Sequence, residues 1–158
     1  MRLLIVCLAA LVSACVTLND QRTTAPDAAL AAIQNARVRE CPPERVQVNA
    51  RSSSDAQSIG VTAEDIALTP LASDAARSVR LRRIKVAPGG VVAWHTHETV
   101  QGMALVVAGE MTELRNSCLD PILYRAGDVA REDAATAHGW RNQSDAEAVI
   151  LAAHVFVR

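Results

Sequence analysis

From residue 78 onward the chain runs in short stretches of alternating apolar and polar residues, punctuated by Gly, Pro and Asp. Val79 and Leu81 share one face of an extended chain, whereas Ile84 and Val86 share a face of opposite parity. A bulge is therefore expected at Arg82 and Arg83. Pro88, Gly89 and Gly90 predict a turn, followed by strands over residues 91–97 and 101–107 and a second turn at Ala108 and Gly109. Residues 110–115 alternate, 116–121 form a loop, and 122–124 read as a short strand. Ala126, Gly127 and Asp128 turn the chain into 129–131, and residues 148–157, apolar on both faces, read as a buried last strand. Many short strands and little helix predict an all-β fold, a closed or nearly closed antiparallel barrel.

Upstream the pattern is weaker. Residues 27–38 are Ala-rich and suggest a short helix capped near Asp27 and ended by Pro42 and Pro43. Residues 45–49 alternate and read as a first strand, 52–60 as a polar loop. In 61–71, Ile66 and Leu68 share a face and Pro70 marks an edge strand.

The first residues carry one positive charge at Arg2, an apolar run over 3–12, and small residues at Ser13 and Ala14. This is the pattern of a signal peptide over 1–14, too short to stay in a bilayer as a spanning helix. Val12, Ser13, Ala14 and Cys15 resemble the lipobox of bacterial lipoproteins. The resemblance implies a lipidated Cys15 as the first mature residue, residues 15–40 as anchor, tether and extension, and 41–158 as the barrel. Val16 in place of Asp implies, by the same resemblance, the periplasmic side of the outer membrane. Ordinary cleavage near Ala14, giving a soluble periplasmic or secreted protein, is the alternative.

Net charge is −1 and no basic stripe occurs, which argues against nucleic acid as a partner. Of the four cysteines, Cys7 leaves with the signal and Cys15 is the lipid candidate. Cys41 and Cys118 remain for one disulfide in an oxidising compartment, or else stay as two free thiols.

The chemistry concentrates in two segments. His95 and His97 lie two apart, so on a strand both imidazoles project from one face. Gly89 precedes His95 by five residues, and Gly109 follows. In the second segment Gly127, His138 and Asn142 recur, seventeen residues after Gly109. These residues resemble the two motifs of the cupin superfamily. The first motif has Gly, five residues, His-x-His, three or four residues, Glu, six residues and Gly. Three residues after His97 stands Gln101 instead of Glu, and the spacing from Gln101 to Gly109 is one residue longer than the pattern. In the second motif Asp133 and Ala135 replace the usual Pro and Gly.

The resemblance implies a single double-stranded β-helix, the jelly-roll cupin barrel, with a short helical or irregular N-terminal extension. It also implies a divalent transition metal (Zn, Ni, Cu, Fe or Mn) held by His95, His97, Gln101 and His138. Gln101 is expected to face inward, because its row includes the bulky Met103, Leu105 and Val107, which would fill the barrel. Glu98 and, more weakly, Glu132 are the alternative carboxylates. His154, on an apolar strand, reads first as a satisfied core residue. Trp140 would wall the pocket or pack the core, and Asn142 would fix a turn.

Two function classes remain open. One is a metal-dependent enzyme, since cupins of this kind include dioxygenases, isomerases and decarboxylases. The other is a membrane-tethered module that binds or senses a small molecule. A small-molecule ligand is expected in both, and homodimerisation is left open.

Overall fold

The computed structural model describes residues 31, 34–52 and 55–157. The expected signal peptide and lipobox, and half of the helix expected over 27–38, fall outside them. The strands are β1 Arg37–Val38, β2 Ile59–Leu71, β3 Asp74–Thr96, β4 Val100–Ala108, β5 Glu110–Arg115, β6 Ile122–Arg125, β7 Asp128–Glu132, β8 Ala137–Arg141 and β9 Ala148–Val157. They are hydrogen-bonded in the order β1-β7-β4-β9-β3-β8-β5-β6, and β2 pairs with β3.

The long β3 folds this sheet onto itself. Its first half pairs with β9, from Arg77 opposite Val157 to Val86 opposite Ala148. Its second half pairs with β8, from Val91 opposite Arg141 to Thr96 opposite Ala137. The corner lies at Gly89 and Gly90. Gly89 has φ 72°, and a Cβ on Gly90 would lie 2.7 Å from a Val86 methyl and 2.8 Å from the Ala87 carbonyl oxygen. Only glycine fits such a corner. One layer is thus β1-β7-β4-β9-β3-β2 and the other is the second half of β3 with β8, β5 and β6. Val86, Ala104, Val106, Ile150 and Ala152 from the first layer pack with Met111, Tyr124 and Trp140 from the second in one buried cluster. This is the all-β double-stranded helix expected from the sequence.

Cys41 and Cys118 form a disulfide, with Cα atoms 5.6 Å apart. It ties the irregular N-terminal segment to the loop after β5. Asn142 fixes a turn as expected, its amide donating to the Val86 carbonyl at 3.0 Å and the Ala146 carbonyl at 2.7 Å.

Four local expectations are corrected. The bulge lies on β2, where Ile66 is the unpaired residue between Asp65 and Ala67, and β3 runs in unbroken register against β9. Ser78, Arg80, Arg82, Ile84 and Val86 therefore form one inward row, with the two arginines inside it. Residues 45–49 are not a strand: a 3-10 turn spans Pro43–Arg45, and Val46 makes only an isolated bridge to Cys118. Arg37 and Val38 are strand rather than helix. On β4 the inward row is the small one, with Ala104 and Val106 buried and Met103 52% exposed. The barrel is already filled from the other layer by Met111, Tyr124 and Trp140, so β4 contributes its slender face.

Candidate metal centre

His95 and His97 end β3, and His138 opens β8. The register places His95 opposite His138, so their rings start side by side. Each Nδ1 faces an acceptor: the Ala93 carbonyl at 2.8 Å for His95, the Val100 carbonyl at 2.7 Å for His97, and the Glu113 carboxylate at 2.5 Å for His138. Carbonyl and carboxylate oxygens only accept, so each Nδ1 carries the ring proton and each Nε2 presents a lone pair; that of His138 accepts a long hydrogen bond, 3.4 Å, from the Trp140 indole N–H. These Nε2 atoms converge, 2.9 Å apart for His97 and His138 and 3.2 Å for His138 and His95. Lone pairs this close repel one another, and a cation between them removes the repulsion. Donors about 2.1 Å from a metal and at right angles sit about 3.0 Å from each other, close to the spacing found here.

The carboxylates complete the set. Glu113, on β5, is fully buried and accepts from His138, from Arg115 Nε at 2.9 Å and from the Tyr124 hydroxyl at 2.8 Å. Burial pushes its carboxyl up, but His138, Arg115 and Tyr124 outweigh this and hold it below the ordinary value. It is the outer partner that fixes the His138 tautomer. Glu132, on β7, places Oε1 3.6 Å from His138 Nε2 and 3.9 Å from His97 Nε2. Its Oε2 lies 2.5 Å from His154 Nε2. Burial raises Glu132 too, yet the hydrogen bond from His154 and the charges of His138 and His97 bring it below the ordinary value. His154 Nδ1 is buried with no hydrogen-bond partner.

Burial is the main cause that lowers His97 from 6.5 to about 4; Glu132 opposes it, and His138 and His95 add to it. His95, nearer the mouth, is lowered in the same direction, by burial and then by His138. Both rings are thus neutral ligands-in-waiting at neutral pH.

The motif resemblance implies Gln101 as a ligand, but Gln101 lies outside this set. Gln101 is exposed, and its amide donates to the Glu98 carbonyl at 3.3 Å. Glu98 is also exposed, on an outer groove shared with Gln101, Arg77 and Phe156. The inward residue of β4 is Gly102, paired with Glu132 on one side and His154 on the other. Counting four residues after His97 instead of three lands on Gly102, and six residues then separate it from Gly109. That spacing was the available signal that Gln101 is out of step. Glu113 carried no comparable signal, since an alternating Glu on a strand ordinarily faces water.

Three imidazoles thus converge inside a two-layered jelly roll, an arrangement that could hold a metal ion. Residues 82–154 match the family described as Cupin_2, cupin domain. No curated protein matches the sequence. Among solved structures, KdgF from Halomonas sp. is similar at 19% identity, covering 72% of this chain and 93% of its own, with TM-score 0.51. The Cnp3 cupin domain of Schizosaccharomyces pombe is 6% identical, covers 63% of each chain, and has TM-score 0.51. A recombinant oxalate oxidase in complex with glycolate is 18% identical over 68% of this chain and 57% of its own, with TM-score 0.50. Such likenesses carry the fold. The buried His and Glu cluster is consistent with a transition-metal site.

Proposed function

We propose that this chain is an exported, lipid-anchored cupin whose barrel, over 41–158, holds one divalent first-row metal to bind or transform a small molecule. The observation that carries the metal is the convergence of three Nε2 lone pairs, each fixed by an acceptor on its own Nδ1. His95, His97 and His138 would hold the ion, with Glu132 as the fourth donor in place of the motif carboxylate. When bound, the metal supplies Lewis-acid or redox chemistry to a ligand at its open side.

The surrounding residues then have distinct tasks. Glu113 and Tyr124 hold the His138 ring in place. His154 holds Glu132 through one oxygen and keeps its own Nδ1 free in the cavity wall. Three imidazoles and one carboxylate partly neutralise the dication, which suits Mn and Fe(II) as well as Zn or Ni. The free His154 nitrogen beside the centre favours an enzyme, of the dioxygenase or isomerase kind, over a sensing module. The anchor at Cys15 and the periplasmic face of the outer membrane complete the reading, supported by the lipobox residues and by the disulfide.

The test is metal stoichiometry of protein lacking residues 1–15, purified without added metal. One ion per chain is expected, and H95A/H97A is expected to abolish it. Near-stoichiometric metal in that double variant would overturn the site.

A further inference from the structure

We infer that the cavity above the metal centre recognises a small organic acid, with Arg80 taking its carboxylate and the apolar residues beside it taking a hydrocarbon body. This deepens the proposed function but rests on it only in part, because the arginine lies in the wall whether or not metal is bound.

The placement follows from register. Arg80 on β3 is paired with His154 on β9, His154 with Gly102 on β4, and Gly102 with Glu132 on β7. Four neighbouring strands thus point one row into the barrel, and Arg80 begins it. Arg80, Arg82, His95, His97 and His154 line one cavity of about 420 Å³. That volume lies in the range of small-molecule sites. Val61, Ala63, Ile84 and Val92 form its apolar part.

The charges there do not balance. Asp65 is the carboxylate facing both arginines. It accepts from Arg82 Nε at 2.6 Å but lies 3.7 Å from Arg80 Nε, beyond hydrogen-bond reach. The Arg80 guanidinium stacks over Phe156 at 5.1 Å, and its Nε is buried without a hydrogen-bond partner. A buried donor left unmade is costly, and a guanidinium presents a planar fork that matches a carboxylate. A dication held below, with Glu132 as the one carboxylate near the His97 and His138 nitrogens, would add to this positive charge. An anion satisfies both demands, and the apolar wall selects an acid with a hydrocarbon body over a bare one.

Benzoate and its uncharged counterpart benzamide test this by calorimetry, on metal-loaded and on metal-free protein. Benzoate is expected to bind at least about tenfold more tightly than benzamide, the discrimination of one charge-assisted pair. In metal-free protein R80Q is expected to remove that preference and leave benzamide unchanged. R80K, which keeps the charge and loses the fork, should fall between. R82Q should cost less, because Asp65 already holds that side chain. Equal affinity for acid and amide in the wild type, no benzoate binding at millimolar concentration, or wild-type benzoate affinity in R80Q would each overturn the inference. Its failure is separable from that of the metal reading. Preference confined to metal-loaded protein assigns the acid to the ion and refutes Arg80, whereas metal-independent preference with no metal in the protein upholds Arg80 and refutes the ion.

Discussion

Replacing Glu132 with Gln removes one negative charge from the metal centre while keeping the shape of the side chain. The amide oxygen still accepts from His154, so the ring that supports it stays in place. The loss is electrostatic and can be bounded. Glu132 Oε1 lies 3.6 Å and 3.9 Å from the two imidazole nitrogens that would flank the ion. At about 4 Å a dication and a carboxylate attract by about 2 kcal/mol in water and by several times more in a partly dry barrel. Taking the watery limit as the floor, E132Q should weaken metal binding at least about 30-fold. Q101A should leave it unchanged, because that side chain is exposed and bonded only to the Glu98 carbonyl. Competition titration against a chelating dye, with both variants beside the wild type, reads the difference. Wild-type affinity in E132Q together with loss in Q101A would refute the reasoning and return the fourth position to the motif residue.

Three further outcomes follow from the same contacts. E113Q keeps a neutral acceptor near His138 Nδ1 but loses the charge that fixes the ring, so metal affinity should fall about 10–100-fold in the same titration. Denatured, unreduced protein lacking Cys15 should show no free thiol, and C41S/C118S should lose about 2–5 kcal/mol in urea unfolding; two titratable thiols in the parent would contradict the Cys41–Cys118 bridge. In metal-free protein His97 is held at about 4 against an unfolded value of 6.5, so the unfolded chain takes up the proton first as pH falls. Stability should be undiminished by this group above pH 6.5 and decline through the window down to about 4. The loss should be on the order of 2–3 kcal/mol, and H97N should flatten that part of the profile.

The second half of the chain was legible because its strands obey a simple alternation and its turns carry glycine. Gly89 and Gly90 mark the corner, and Gly109 and Gly127 have positive φ of 70° and 94° at the turns where they were expected. The three histidines were legible because two share a strand face and the third stands at the matching position of the second motif, which the register then sets opposite His95. What escaped was parity. On β3 the apolar residues Val79 and Leu81 suggested one face and Ile84 and Val86 the other, but the true inward row includes Arg80 and Arg82. A polar cavity mouth inverts the usual rule that apolar residues face in. The same error reversed β4, where Gly102 and Ala104, not Gln101 and Met103, face the site. The N-terminal extension escaped for another reason: its fixed points are the disulfide and the bridge from Val46 to Cys118, which are long-range contacts with no local pattern.

The absent motif carboxylate is the point where these threads meet. A glutamate on β4 at the Gly102 position would need space that the structure has given away. Even a Cβ there would lie 1.9 Å from the Ala153 carbonyl oxygen and 2.9 Å from the His154 ring. Gly102 therefore lets β9 and the His154 imidazole approach closely, and His154 in turn reaches across β4 to hold Glu132 on β7. The carboxylate has in effect moved one strand over, from β4 to β7, with the histidine bridging the gap. Restoring a glutamate at Gly102 should consequently fail to restore a motif-like site. It should disrupt packing against β9 instead, whereas the pair Glu132 and His154 already supplies a charge near the imidazoles and a buried ring nitrogen facing the cavity. The two residues that sequence reading ranked lowest are, by this argument, those that distinguish this barrel's chemistry from the pattern it otherwise follows.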